Sequence, residues 1–294
     1  MPRSRQVDSH PGARSDLRVL VLTGGHRVDV DALLGMVAAI AAERQWQWAH
    51  AVQPSALAWL RPGTPWDVLL CHDLPGLHLR RGVPPAPQGP SPAVAAAITA
   101  MLAEGIGVVA THHALAGWPA WDGWAEALGG RFLYAPGPLH DEPWPSSGTR
   151  LTSYTARPVA LGHPVCAGLD AFELSDELYC CPVLEDRVVP LLRHDADVAP
   201  QRYTRTYEHV VLGEAAAPDC TGHPPASDLV AWATAAGPSP VVYVQPGDSA
   251  ATFVVPGYRQ LLGNAVDWVA SLDARVWASA TAGGAPAGPG FTDR

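Results

Sequence analysis

Short apolar runs alternate with segments of helical periodicity along most of this chain. The run RVLVLTGG is followed by a segment in which Leu33, Val37 and Ile40 recur at helical spacing. Three further strands are predicted by WQWAHAVQ, DVLLC and GVVAT, and SPAVAAAITAMLAEG predicts a helix that ends at Gly105. A last strand and its helix are predicted by PVVYVQ and PGYRQLLGNAVDWVAS. The pattern is that of successive βα units.

The clearest of these strands are apolar throughout and do not alternate with polar residues. Such runs are typical of a parallel sheet that is covered by helices on both faces. We therefore predict an α/β fold with an open, doubly wound, mostly parallel sheet of the flavodoxin type. The segment 131–240 departs from this rhythm with many proline, glycine and charged residues. It is expected to add extra strands.

Both ends of the chain have compositions that are typical of tails. Residues 1–16 are polar and without pattern, and the other end is rich in alanine, glycine and proline. The predicted organisation is an N-terminal tail over 1–16, one domain over 17–273 and a C-terminal tail over 274–294.

Composition limits the partners and the compartment. The net charge is −9 and all 19 basic residues are scattered arginines, which argues against nucleic acid. An odd number of cysteines, five, and the lack of an apolar leader predict a cytoplasmic protein without a disulfide framework. No run approaches the ~20 apolar residues of a membrane span. The expected partner is a small molecule, and a homo-oligomer stays open.

Titratable residues follow several of the predicted strands. The carboxyl ends of parallel strands meet at one edge of a sheet, where ligands bind. The residues at these ends are Gly25 and His26, His72 and Asp73, His112 and His113, and Asp248. Each histidine alone is compatible with a structural role, but their convergence predicts one ligand-binding cleft.

Other short motifs give weaker indications of function. The pair Gly24-Gly25 lacks the G-x-G-x-x-G pattern, and the chain has no lysine for a phosphate loop, so neither a nicotinamide nor a nucleotide cofactor is expected. Cys71, His72 and Asp73 cannot form a relay, because consecutive residues on a strand point to opposite faces. Cysteines 180 and 181 are expected to pack as small apolar groups.

Several long motifs occur together in a characteristic order. They are VLVLTGGHRVDVDALL, WDVLLCHDLPGL, GVVATHHALAGWPAWDGWAEALGGRF, GHPVCAGLDAFELSDELYCCPVLEDRVVPLLR and PVVYVQPGDSAATFVVPGYRQLLGNAVDWVAS. In them the chain resembles the ThuA-like (trehalose-utilisation) family, whose fold is similar to that of class I glutamine amidotransferases. The resemblance runs roughly from Leu17 to Leu272 and implies a role in the utilisation of trehalose or a related disaccharide.

The resemblance places His112 at the elbow where the amidotransferases carry a cysteine nucleophile. Since an acyl-enzyme requires a thiolate there, glutamine hydrolysis is expected to be absent. The family usually has Gly-His after the last core strand, whereas this chain has Gly247-Asp248. Asp248 would then either orient His112 or accept hydrogen bonds from sugar hydroxyl groups.

The resemblance also implies an acidic site residue at Glu177, in SDELY. The alternative is that Asp176 and Glu177 form an exposed turn. With His112 and His113, Glu177 would serve either in acid–base chemistry on a hydroxyl or a carbonyl-activated C–H, or as a ligand of a divalent metal. Tyr179 is expected to shape the same pocket.

Three tryptophans follow the predicted elbow at i, i+3 and i+6, namely Trp118, Trp121 and Trp124. A helical stripe of this kind is usually core packing, although indoles also stack on sugars. Trp118 alone is predicted to form a wall of the pocket.

Two classes of function remain. The first is a cytoplasmic enzyme that acts on a sugar or keto-sugar with His112, His113 and Glu177 as its catalytic groups. The second is a non-catalytic small-molecule-binding or accessory protein that has kept an amidotransferase-like fold. The missing cysteine and the aspartate at position 248 favour the second class, whereas the titratable strand ends favour the first. The sequence favours the enzyme.

Overall fold

The computed structural model describes residues 17–77, 79–80, 82–83, 86 and 88–282, so the predicted tail over 1–16 lies outside it. The strands are β1 (Arg18–Gly24), β2 (Gln47–Val52), β3 (Val68–Asp73), β4 (Gly107–Thr111), β5 (Gly137–Leu139), β6 (Glu142–Trp144), β7 (Gly148–Pro158), β8 (Phe172–Cys180), β9 (Val189–His194), β10 (Thr204–Arg205), β11 (Leu229–Ala236) and β12 (Ser239–Val244). The helices are α1 (Val30–Arg44), α2 (Pro92–Ala103), α3 (Asp122–Leu128), α4 (Ala250–Phe253), α5 (Pro256–Val269) and α6 (Leu272–Ala282).

Five strands form a parallel sheet in the order β2-β1-β3-β4-β12. This is the flavodoxin-type order, in which the chain winds helices onto both faces and the strands share one carboxyl edge. All five were expected from their apolar runs. The predicted α/β fold with a parallel core is confirmed.

Alternate residues of these strands enter two separate cores. Val19 and Val21 of β1 pack on one face with helices α1 and α5, whereas Leu20 and Leu22 pack on the other face with α2 and α3. Because both faces are covered, β1 has no polar positions along its middle. The continuous apolar runs in the sequence follow from this arrangement.

The sheet continues beyond β12 with antiparallel strands in the order β11-β9-β7-β10, and β8 pairs with β7. All five come from the segment 131–240, which broke the βα pattern in the sequence. The resulting sheet has ten strands, of which five form the parallel half and five form the antiparallel half. Strand β12 joins the two halves.

The C-terminal boundary of the fold lies beyond the predicted one. Residues Leu272–Ala282 form helix α6, and its Ala274 and Ala278 are fully buried. Alanine-rich sequence resembles a low-complexity tail, but alanine is also the best helix former and packs closely on neighbouring elements. The prediction of a tail from residue 274 was therefore wrong up to residue 282, and 283–294 lie outside the described residues.

The three tryptophans do not form a helical stripe. Helix α3 begins at Asp122, after Trp121, and Trp118 lies in a preceding turn with a left-handed backbone (φ 46°). Only Trp124 is on the helix, where its indole donates to the Ala114 carbonyl. Among the described residues, no helix is long and apolar enough to cross a membrane.

Candidate functional site

A strained turn lies at the carboxyl end of β4. His112 has a left-handed backbone (φ 53°) and begins a short 3-10 helix over His112–Ala116. A non-glycine residue in this conformation costs on the order of 1 kcal/mol, and such strain is concentrated at functional sites. The His112 side chain is fully buried at the carboxyl edge of the sheet.

Hydrogen bonds fix the orientation of the His112 ring. Its Nδ1 lies 2.7 Å from the Tyr179 hydroxyl and 3.3 Å from the Gln245 carbonyl oxygen. Because a carbonyl can only accept, the arrangement that satisfies both partners places the hydrogen on Nδ1. The lone pair is then on Nε2, which lies 3.7 Å from Oδ1 of Asp248. The basic nitrogen thus faces a carboxylate.

Four imidazole rings from three strand ends meet beside this turn. The ring centroids of His112 and His113 are 4.0 Å apart, and those of His26 and His113 are 4.4 Å apart. His72 completes the group, with its centroid 5.3 Å from that of His26 and 6.0 Å from that of His112. The structure therefore brings together the histidines that the strand-end pattern singled out.

His72 is held by a chain of hydrogen bonds. The Thr111 hydroxyl donates to the Cys71 carbonyl (3.2 Å) and lies 2.7 Å from Nδ1 of His72. Since the hydroxyl has given its hydrogen to the carbonyl, Nδ1 of His72 is the donor to it. The Nε2 lone pair of His72 is buried and has no hydrogen-bond partner within the described part of the chain.

Burial keeps three of these four imidazoles neutral, those of His26, His72 and His113. It lowers the pKa of His26 to about 4, with a smaller contribution from His112. Burial and the neighbouring rings also hold the pKa values of His72 and His113 well below the usual range of histidine. At neutral pH these three rings are uncharged and retain a lone pair.

Strand β8 adds two side chains from the antiparallel half. Glu177 and Tyr179 are two residues apart, so both lie on one face of the strand, beside the histidines. One carboxylate oxygen of Glu177 is buried without a hydrogen-bond partner among the described residues. Burial raises the pKa of Glu177 to about 7; His112 opposes this effect, and Asp248 and Asp176 add to it.

Asp176 is a site residue that the sequence reasoning missed. It is fully buried and accepts hydrogen bonds from the backbone N–H groups of Gly247 (3.1 Å) and Asp248 (3.3 Å) and from the Thr252 hydroxyl. The alternative of an exposed turn at residues 176 and 177 was therefore wrong. In FELSDELYC, position 176 falls on the same face as Leu174 and Leu178, and a carboxylate on an apolar face requires several donors.

The loop after β12 approaches the histidines closely. A Cβ atom on Gly247 would lie 3.1 Å from Cβ of His112 and 3.1 Å from Cε1 of His72, and its φ of 150° also favours glycine. The adjacent Asp248 side chain is 40% exposed, and its pKa is lowered by the hydrogen bond that it accepts from His112 when Nε2 carries a proton. Asp248 thus lies at the solvent side of the cluster.

Two predicted pocket residues lie elsewhere. Asp73 follows His72 on β3 and points to the opposite face, where it accepts a hydrogen bond from Gln53 (2.6 Å). Together with Trp118 and Cys71 it lines a small, mostly apolar cavity against α2. The structure places Asp73 and Trp118 at this cavity and not among the four histidines, because successive strand residues alternate in direction.

Gly25 has a geometric role beside the cluster. Its φ is 87°, and a Cβ atom there would lie 2.2 Å from the Leu74 carbonyl oxygen. Only glycine fits this close approach, which brings the following His26 next to His72. A contact between Gly25 and a ligand stays a prediction.

The cluster also has the composition of a cation site. One ligand-capable atom from each of His112, His113, Glu177 and Asp248 lies within 4.8 Å of the others. Imidazole and carboxylate groups are the common ligands of zinc and related divalent ions. The same groups can transfer protons, so the arrangement supports acid–base chemistry, metal binding or both.

The fold and the position of the site at the carboxyl edge of the sheet are those of a doubly wound α/β protein. The family model of ThuA, described as trehalose utilisation, matches residues 84–269, which is more than half of the chain. The chain therefore belongs to the ThuA family. A search of curated proteins finds no match.

Among the similar solved structures, one shares the fold with a TM-score above 0.5. A ThuA-like protein from Parabacteroides merdae superposes with a TM-score of 0.61 at 15% identity, over 87% of this chain and 90% of that one. A glutamine amidotransferase from Thermotoga maritima gives a TM-score of 0.39 at 11% identity, over 78% of this chain and 75% of that one. A β-galactosidase from Bacillus circulans sp. alkalophilus gives 0.43 at 10% identity, over 85% of this chain and 30% of that one.

Proposed function

We propose that this ThuA-family protein acts on a sugar or keto-sugar during utilisation of trehalose or a related disaccharide, by proton transfer at His112, His113 and Glu177. Membership of a family described as trehalose utilisation supports the substrate class. The reaction type is supported by one observation above all: a strained, buried His112 directs its basic nitrogen toward Asp248, with Glu177 on the same side.

The roles follow from the contacts. His112 accepts a proton at Nε2 from a sugar hydroxyl or from a C–H next to a carbonyl, and Asp248 stabilises the imidazolium that results. Tyr179 and Gln245 hold the ring in place through Nδ1. Glu177 supplies the second carboxyl group, which gives a proton to the sugar in return. Glutamine is not a substrate in this proposal, since no thiol stands at the elbow.

The test is exchange and turnover by the purified full chain in D2O. Trehalose, other disaccharides and their keto derivatives are followed by NMR, and glutamine is included as a substrate that should release no ammonia. His112→Asn should lower the rate by at least ~100-fold, since a general base contributes roughly that much or more. Asparagine is chosen because it tolerates the left-handed backbone.

His140→Asn is the matched control. His140 also has a left-handed backbone (φ 52°), but it lies in the β5–β6 hairpin and its side chain is 26% exposed. The control should keep the wild-type rate. Binding of a sugar without any exchange or turnover would instead support the accessory-protein alternative, and equal rates in wild type and His112→Asn would remove His112 from the chemistry.

A further inference from the structure

The geometry points to a divalent metal site formed by His112, His113, Glu177 and Asp248, and we propose that the protein binds one transition-metal ion there. The four ligand atoms come from three separate parts of the sheet: the turn after β4, the middle of β8 and the loop after β12. Their mutual distances of at most 4.8 Å are close to those of ligands around one ion. At metal–ligand distances of about 2.1 Å, the ligand atoms of a tetrahedral site are ~3.4 Å apart, so the four side chains would move slightly closer together on binding.

The orientation of His112 supports a cation between its ring and Asp248. Its Nδ1 donates to the Gln245 carbonyl, which leaves the Nε2 lone pair facing a carboxylate oxygen at 3.7 Å. Two electron-rich atoms at this separation repel each other unless a proton or a metal ion lies between them. A ligand histidine that donates its other ring N–H to a backbone carbonyl is also the usual arrangement in metal sites.

The charge balance supports the same conclusion. Within the described residues, neither Glu177 nor Asp248 pairs with an arginine, although most ion pairs elsewhere in the molecule involve one. One oxygen of Glu177 is buried and has no hydrogen-bond partner in the described part of the chain. A divalent cation would neutralise both carboxylates and give this oxygen a partner.

A second, independent observation is that the lone pair on Nε2 of His72 accepts no hydrogen bond from the described residues. This ring is 1% exposed, its Nδ1 is engaged with Thr111, and its Nε2 has no hydrogen-bond partner in the part of the chain that the structure describes. It stacks beside His112 with centroids 6.0 Å apart. His72 therefore lies next to the four ligands as a base that is available to whatever the ion binds.

The donor set narrows the choice of ion. Two imidazoles and two carboxylates suit Zn²⁺, Mn²⁺ or Fe²⁺ better than Ca²⁺ or Mg²⁺, which prefer oxygen ligands alone. In combination with the proposed function, on which this step rests, the ion would bind a hydroxyl or carbonyl oxygen of the sugar. His112 and Glu177 hold the ion in the metal-loaded protein, whereas in the metal-free protein they exchange protons as proposed above, and the test below separates the two.

The test measures metal binding without a sugar. The full chain is treated with a chelator, dialysed into metal-free buffer and titrated with Zn²⁺, Mn²⁺ and Co²⁺ by calorimetry, with elemental analysis for stoichiometry and visible absorption for Co²⁺. We expect one ion per chain and a higher melting temperature with metal. His113→Asn and Glu177→Gln should weaken binding at least tenfold.

The controls are His140→Asn and Glu173→Gln. Glu173 is exposed and lies four residues before Glu177 on the same strand, so it tests the same substitution outside the site. Both controls should bind metal as the wild type does. No binding by the wild type, or equal binding by all variants, would overturn the metal site. If the chelated protein still turns over sugar and His112→Asn does not, the proposed function stands without the metal.

Discussion

The parallel and antiparallel halves of the sheet contribute to the site in different ways. The parallel half supplies imidazoles at strand ends, where the chain leaves the sheet at His26, His72 and His112. The antiparallel half supplies a carboxyl and a phenol from positions within β8, at Glu177 and Tyr179. The end of a strand can be recognised in a sequence. A residue inside a strand reaches the site only if its side chain lies on the face that borders the site, and the sequence does not show which face that is.

Two adjacent acids on β8 show the same contrast on a smaller scale. Asp176 is fully buried and every donor around it is engaged, so it fixes the loop that carries Asp248. Glu177 is next to it, and one of its oxygens has no hydrogen-bond partner among the described residues. The fold itself supplies the hydrogen-bond donors of Asp176, whereas the buried oxygen of Glu177 would gain a partner only from a bound ion or ligand. Stability measurements should separate them.

The largest effect is expected for Asp176→Asn. The amide keeps the shape of the side chain but removes the charge that accepts hydrogen bonds from three backbone N–H groups, those of Glu177, Gly247 and Asp248, and from a hydroxyl. We expect the free energy of unfolding to fall by about 3 kcal/mol, the scale of charge-assisted hydrogen bonds in a buried site. Urea titration at neutral pH in a metal-free buffer measures it. A loss below about 1 kcal/mol would mean that the loop after β12 is held by other contacts.

A medium effect is expected where the two halves pack together. His163 lies between β7 and β8 and packs on Trp268 of α5, with ring centroids 4.6 Å apart. Burial lowers its pKa to about 4, below the value near 6.5 in the unfolded chain. The stability from this neutral ring is fully present above pH 6.5 and is lost as the pH falls toward 4.

His163→Asn should therefore reduce the acid sensitivity of folding. The asparagine can still accept the hydrogen bond from the Val165 N–H that His163 accepts at Nδ1 (3.2 Å). Between pH 6.5 and 4.5 the variant should lose about 2 kcal/mol less stability than the wild type, at ~1.4 kcal/mol per pH unit. Urea titrations at several pH values give the two slopes. Parallel slopes would assign the acid sensitivity to other groups.

The smallest effect on stability is expected for Glu177→Gln. One oxygen of this partly buried carboxylate has no hydrogen-bond partner among the described residues. Its replacement by an amide removes an unfavourable charge, so stability should stay within about 1 kcal/mol of the wild type or rise. The same urea titration in a chelating buffer measures it, with Glu173→Gln as the exposed comparison. A loss as large as that of Asp176→Asn would show that Glu177 is structural and would weaken its place in the site.

The sequence predicted the parallel half well, because β1, β3, β4 and β12 are buried on both faces and their ends meet at one edge. It placed Asp73 and Trp118 in the histidine cleft, whereas both line a separate cavity, because side-chain direction alternates along β3 and only the three-dimensional fold shows what lies on each side. The role of Asp176 depends on a loop seventy residues further along the chain, which no local pattern reveals. Helix α6 was missed because its alanines are compatible with both a tail and a helix.

The position of β12 has a consequence for synthesis on the ribosome. This strand pairs with β4 on one side and with β11 on the other, yet it is made long after β4. Until it emerges, β4 has an unpaired edge, which is the kind of surface that invites aggregation or chaperone binding. The loop that carries Asp248 follows β12 directly. A nascent chain therefore completes its sheet and its site in the same late step, and a truncated chain without β12 would have neither.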